Sequence, residues 1–493
     1  MSNPMEKDTS VQMNEKVSVD ESLAAAGEHL LIDPVAEKKL LWKCDLHVVP
    51  VLFVLFLLAF LDRTNIGNAR IQGLEKDLNM DPKGNKYNVA LQVFFAPYIL
   101  FEVPSNLIIK RVAPSTWLSA IMVLWGIATM GQGLVNTYEG LVAMRVLIGF
   151  FEAGLFPGCI YLISMYYKRY ELQWRVNVFF SASILAGAFG GLLAYAIANM
   201  DGTGGYGAWR WIFIIEGLVT VVAGVAAKFL VVDWPEKASF LTDEERRLLV
   251  ARLASDAGEA VMNRLDKRAA RRIFSDWKIY VGIVMYFGVV QSGYGTSFFI
   301  PTILNEMGYS AKRAQVLSIP IFLVATAGAL TTAFCTDKLK RRYPFTILGV
   351  LVCTVGYGIL LGQKGLTVGV KYFATFLIVL GTYITQPVCI AWISNCMSGH
   401  YKRSVASAMQ IGFGNAGGIV ASNIYKGTER PYYHTGYGTA LGLLWVTALS
   451  CTVLLVGVAR ENKKRNRGER DYRLEEEDAD NLGDDHPQYR FTY

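Results

Sequence analysis

Pro157-Gly-Cys-Ile-Tyr-Leu-Ile-Ser164 and Pro387-Val-Cys-Ile-Ala-Trp-Ile-Ser394 follow one pattern at two places in the chain. Gly187-Ala-Phe-Gly-Gly191 and Gly414-Asn-Ala-Gly-Gly418 repeat at nearly the same offset. The basic turn at Lys110-Arg111 falls where Asp337-Lys338 falls in the second half. All three offsets lie close to 230 residues, so chance similarity is a poor explanation. The chain is read as two parallel halves built from one unit.

Outward from these segments, apolar runs of membrane-spanning length recur. Twelve spans are expected, at about 47–69, 88–109, 116–135, 139–161, 175–198, 209–231, 279–300, 315–335, 345–363, 372–395, 404–425 and 438–459. The expected fold is an all-α membrane protein: twelve transmembrane helices in two six-helix pseudo-repeat bundles. The domains follow as an N-terminal tail (1–45), a first bundle (46–231), a linker (232–276), a second bundle (277–459) and a C-terminal tail (460–493). Thr242-Asp-Glu-Glu245 in the linker reads as a capping box opening a short helix. The tail after Arg460, first basic and then acidic (Glu475–Asp480), reads as disordered.

Twelve spans place both termini on one side of the bilayer. Lys110–Arg111, Lys168–Arg169, Lys338–Arg342 and Lys402–Arg403 lie on the terminal side, while the loops at 136–139 and 200–207 carry no Lys or Arg. The 70–86 loop is the exception, with Arg70, Lys76, Lys83 and Lys86 beside several acids. The balance predicts cytoplasmic termini. No apolar h-region precedes residue 40, so the first hydrophobic helix is expected to direct insertion by the secretory route, into a plasma or vacuolar membrane, the plasma membrane being favoured.

Composition excludes several classes. The chain is 53% hydrophobic and only 18% charged, below the quarter typical of soluble domains. Its net charge of +7 is spread between apolar blocks, not clustered as nucleic-acid binding requires. Seven cysteines form no C-x-x-C pair, and Cys159, Cys353, Cys389 and Cys451 sit in apolar runs as small hydrophobes. No metal spacing, nucleophile constellation or phosphate loop appears, so neither a metal nor a cofactor nor an enzymatic activity is expected.

Charges at membrane depth are costly, at about 2.5–3.5 kcal/mol each on insertion scales, and they mark function. Four stand out: Asp62 and Arg63 in span one, Arg145 and Glu152 in span four. Arg145 and Glu152 return to nearly the same helix face after two turns, with Gly149 between them leaving space beside the guanidinium. A guanidinium fork pairs with both oxygens of a carboxylate. A buried acid nearby can take up a proton. Internal ion pairing for structure alone is the competing explanation. It weakens because the repeat puts Thr375 and Thr382 where Arg145 and Glu152 stand. Neutral candidates are Tyr98 with Glu102 on span two, Gln291 with Tyr294 on span seven, Trp392 with Asn395 on span ten, and Gln410 with Asn415 on span eleven. Any one of them can equally be helix glue.

At Leu61-Asp-Arg-Thr-Asn-Ile-Gly-Asn-Ala-Arg70 the chain resembles the anion:cation symporter family of the major facilitator superfamily. Tyr98-Ile-Leu-Phe-Glu-Val-Pro-Ser-Asn106, Trp209-Arg-Trp-Ile-Phe-Ile-Ile-Glu-Gly217 and Leu241-Thr-Asp-Glu-Glu-Arg-Arg247 narrow the resemblance to the fungal allantoate/nicotinate permease branch, nearest to nicotinic acid transporters. The likeness implies a proton-coupled symporter, functional as a monomer in a lipid bilayer, that imports a small carboxylate such as nicotinate. It implies substrate binding by Arg63, Arg145 and Tyr98, and proton coupling by Glu152 and Asp62. Gln291, Trp392 and Asn415 are the neutral binding candidates. The superfamily's loop motif is degraded in the first half, where Lys110 replaces an acid, whereas the second half keeps Asp337-Lys338. Two other readings remain: an exporter of a pathway metabolite, and a non-transporting nutrient sensor.

Overall fold

The computed structural model describes residues 33–81, 84–109, 112–255, 267–398, 400–475 and 481–493. The first 32 residues, Lys83, the basic pair Lys110–Arg111 and the acidic stretch 476–480 lie outside them. The described chain is helical almost throughout, and ten of its helical segments are long and apolar enough to cross a membrane.

The first bundle comprises α1 (Pro34–Thr64), α2 (Lys86–Gln92), α3 (Phe95–Ile109), α4 (Pro114–Leu134), α5 (Tyr138–Glu152), α6 (Leu155–Ser164), α7 (Arg169–Ile197) and α8 (Ala208–Leu230). Two linker helices follow, α9 (Asp243–Ser255) and α10 (Lys267–Phe274). The second bundle holds α11 (Trp277–Glu306), α12 (Ala311–Leu339), α13 (Tyr343–Leu361), α14 (Val368–Asn395), α15 (His400–Gly414), α16 (Gly417–Ile424) and α17 (His434–Asn466). The ten apolar segments leave out two: α2 with α3, and α15 with α16. Each of these is a pair of helices, at the positions of the second and eleventh spans expected from the sequence.

Proline accounts for two of the breaks. It removes a donor and crowds the carbonyl four residues earlier. Pro97 looks back on Val93, where α2 ends, and Pro157 on Ala153, where α5 ends. Helix α1 starts at Pro34 because Asp33 caps it, accepting from the Val35 N–H at 3.0 Å. That start lies inside the stretch assigned above to the N-terminal tail. Its first turns serve the linker: Lys43 reaches Glu245 at 2.6 Å and Glu37 accepts from Arg252 at 2.6 Å. The linker capping box is present, Thr242 N–H donating to Glu245 Oε2 and Glu245 N–H to Thr242 Oγ1.

The bundles meet along a seam formed by α7 against α12, α11 against the segment after α1, and α2 against α16. Of the repeated glycines, Gly187, Gly191 and Gly418 lie on it. A Cβ on Gly187 would sit 2.6 Å from the Phe322 ring, and one on Gly191 2.7 Å from the Gln315 carbonyl. Cross-seam contacts gather at the end away from Pro34. There Gln72 meets Gln315 (3.1 Å), Asn423 meets Gln92 (2.5 Å), and Arg430 reaches both Glu75 and Glu306 (3.3 Å each).

The C-terminal tail departs from its sequence reading. Helix α17 continues to Asn466, and residues 481–493 pack against the second bundle. Asp484 is fully buried between Lys278 (2.9 Å) and Lys402 (2.9 Å). The Asn462 amide binds the Phe491 backbone from both of its ends. A charge-rich composition does not prevent docking when the partner face offers matching buried charges.

Candidate substrate site

At mid-depth in the seam lies a small cavity lined by Phe56, Phe60, Arg63, Tyr98, Phe156, Phe180, Tyr286, Tyr294, Gln386, Ile411 and Asn415. Its volume is about 20 Å³, enough for a water and too little for a ring-bearing acid.

Arg63 is the one basic side chain in this lining. Its Nε donates to Glu152 Oε1 at 3.0 Å, and its terminal nitrogen contacts the same oxygen. The other terminal nitrogen donates to the Tyr294 hydroxyl at 2.6 Å. Tyr294 in turn lies 3.5 Å from Asn415 Oδ1, so one chain of polar contacts crosses from first bundle to second. The guanidinium carbon stands 4.8 Å from the Tyr98 ring centre, 4.9 Å from Phe94 and 5.1 Å from Phe60. An aromatic cage of this kind holds a cation in place after water has been removed.

The other sequence candidates scatter around this centre. Arg145 does not line the cavity. Its guanidinium donates to the backbone carbonyls of Ala90 (3.3 Å) and Arg63 (3.4 Å), so it sits behind Arg63. Glu152 pairs with Arg63 and not with Arg145, whose guanidinium is engaged by backbone carbonyls. The space expected beside Gly149 is filled: a Cβ there would collide with the Phe94 carbonyl and touch the Pro97 ring at 3.0 Å. Asp62 points away from Arg63 and accepts from Trp125 Nε1 (2.9 Å) and Thr220 Oγ1 (2.8 Å). Tyr98 and Asn415 line the cavity. Gln291 is buried against α16, outside the lining, with both amide atoms unpartnered. Trp392 lies away from the cavity, donating to the Thr492 carbonyl of the docked tail at 3.1 Å.

Several lining residues were missed by reading charges alone, and the repeat contained the signal for them. Phe56 and Tyr286 are 230 positions apart, as are Phe156 and Gln386. Arg63 and Tyr294 are 231 apart, as are Phe180 and Ile411. Pseudo-equivalent positions from both halves thus face one another across the cavity. Chemically, the arrangement offers one fork of donors, a carboxylate that competes for it, and aromatic walls.

Residues 52–422 match the Major Facilitator Superfamily. An uncharacterized transporter of Schizosaccharomyces pombe is 36% identical, over 87% of this chain and 85% of that one. The high-affinity nicotinic acid transporter of Saccharomyces cerevisiae is 28% identical, over 93% of this chain and 85% of that one. Among solved structures, the partially occluded inward-open xylose transporter of E. coli superposes with a TM-score of 0.64 at 14% identity, covering 82% of this chain and 96% of that one.

Proposed function

The chain belongs to the major facilitator superfamily of membrane transporters, and on that premise we propose that it is an anion:cation symporter importing a small monocarboxylate with protons, nicotinate being the best single candidate. The observation that carries the reading is Arg63, held by Glu152 inside an aromatic cavity on the seam. A substrate carboxylate takes the place of Glu152 on the guanidinium fork. Displaced into a dry site, the Glu152 carboxylate takes up a proton. Anion and proton then favour each other's binding, which is the reciprocal coupling that symport needs. Tyr294 and Asn415 bring the second bundle onto the same anion, so binding draws the halves together. Arg145 holds the backbone of Arg63 and adds positive charge behind it.

The walls favour a flat ring. Phe56, Phe60, Phe156, Phe180 and Tyr286 offer faces and edges suited to an aromatic acid. Similarity to a nicotinic acid transporter supports the same class. With cytoplasmic termini in a plasma membrane that is negative inside, anion entry opposes the potential by about 2.3 kcal/mol per charge per 100 mV. One proton cancels that charge, and a second would recruit the potential.

The test is uptake of labelled nicotinate, benzoate and acetate by permease-deficient yeast expressing the chain. The expected result is saturable accumulation of an aromatic acid, stimulated by external acid and not inhibited by nicotinamide, which lacks the charge. Competition by nicotinamide as strong as by nicotinate would overturn the carboxylate reading.

A further inference from the structure

The lining of the cavity carries two polar groups. Arg63, Tyr294 and Asn415 form the first, with the Tyr98 ring lying against it. Gln386 of α14 and Tyr286 of α11 form the second. The Gln386 amide nitrogen donates to the Tyr286 hydroxyl at 3.4 Å, and its Oε1 has no partner. Gln386 is only 4% exposed, so that oxygen is shut off from bulk water.

A buried amide oxygen without a donor is costly. The repeat shows that the position does not demand an amide. Phe156 stands 230 positions earlier in the same lining, so the first half fills the corresponding wall with a phenyl ring. Packing fixes where the oxygen stands. A Cβ on Gly293 would lie 3.0 Å from Gln386 Oε1. Gly293 directly precedes Tyr294, whose hydroxyl receives the Arg63 fork. The free oxygen therefore lies beside the turn of α11 that carries the partner of the fork, and one small ligand can meet both.

We infer that Gln386 is a specificity-determining residue, whose Oε1 accepts from an O–H or N–H on the ring of an aromatic carboxylate held by Arg63. This assignment rests on the carboxylate reading and narrows it. An acid with a plain phenyl ring fills the walls but seals Oε1 in without a donor, and a site built to hydrogen-bond a ligand rejects the analogue that lacks the group. A hydroxylated or lactam-bearing aromatic acid satisfies the oxygen. A pyridine acid does so only with its ring nitrogen protonated. The plain alternative is that water serves this oxygen whatever ligand is bound, in which case a ring donor gains nothing.

The test is equilibrium binding of benzoate, the three hydroxybenzoates and the three methoxybenzoates to purified full-length protein. At least one hydroxybenzoate should bind about threefold to tenfold more tightly than benzoate, and the methoxybenzoate substituted at the same position should not. Gln386→Met keeps the length of the side chain and loses the amide. It should bind benzoate as the wild type does and that hydroxybenzoate no more tightly, a change of ratio that a purely structural role would not produce. Gln386→Asn draws the amide back by one methylene and should reduce the same ratio, which keeps the comparison open if Gln386→Met does not fold. Equal affinities for benzoate and every hydroxybenzoate in the wild type, a preference for the methoxy acids, or an unchanged ratio in the variants would overturn the assignment and leave the carboxylate reading intact. Absence of binding by every acid would overturn the carboxylate reading and this assignment with it.

Discussion

Arg63 and Glu152, 89 positions apart, meet through a single carboxylate oxygen: two guanidinium nitrogens share Oε1, while Oε2 has no partner. The fork is therefore occupied but not matched. A substrate carboxylate offering both oxygens makes two parallel bonds where Glu152 makes a crowded pair.

Arg63→Lys keeps the charge and loses the fork. Charge-assisted hydrogen bonds are worth about 1.5–3 kcal/mol each, so substrate affinity should fall about tenfold to a hundredfold with normal expression. Arg145→Lys should cost less, since a lysine still donates to one of the carbonyls that Arg145 holds. Binding measured on purified protein checks both. Unchanged affinity in Arg63→Lys would count against its contact with the anion.

Arg430 bridges the two halves at the closed end of the seam, reaching Glu75 of one and Glu306 of the other. Partly exposed pairs contribute only about 0–1 kcal/mol each and only the Glu75 pair crosses the seam, so Arg430→Ala should shift the opening equilibrium about twofold to fivefold. A cysteine replacing Gln92, which faces Asn423 across the seam, reports this. Its thiol labelling rate should rise by that factor, the native cysteines being mostly buried. An unchanged rate would mean that this network does not hold the end shut.

The docked tail has a defined pH window. Burial alone would raise the Asp484 carboxyl, but Lys278 and Lys402 outweigh it and push it from 3.8 down to about 2. A depressed carboxylate stabilises above its free value and loses that contribution as pH falls through the folded value. Tail docking should thus stay constant from about pH 5 to about pH 8 and weaken only below about pH 4. Asp484→Asn leaves two buried lysines with one acid fewer and should release the tail to limited proteolysis at neutral pH. Resistance equal to wild type would place the tail's anchor elsewhere.

How far the sequence could be read depended on the kind of interaction. The repeat of Pro157 with Pro387 and the apolar runs made the two-bundle helical fold legible, because span length and proline spacing are local properties. The costly charges were legible too, since Arg63 and Glu152 stand out in apolar runs. Their pairing was not. Helical spacing relates Glu152 to Arg145 on one helix, whereas the observed partner comes from another helix, at a distance fixed only by packing. Trp392 misled for a similar reason: its indole serves a tail that composition marks as solvated. Glu216 stands only within a segment quoted for the resemblance, and its link to Asp62 runs through Asn65 and Thr220 and needs two helices at once.

The exchange of Glu152 for substrate on Arg63 is the central claim, and Glu152→Gln tests it most directly. Glutamine mimics the protonated acid, so the variant should bind substrate and exchange it across the membrane. In reconstituted vesicles with an inward proton gradient, it should show counterflow near the wild-type rate. It should also lose at least about tenfold in accumulation, with little remaining dependence on external pH, because the proton has no site opposite the fork. Uphill, proton-driven accumulation by Glu152→Gln at the wild-type level would contradict the account.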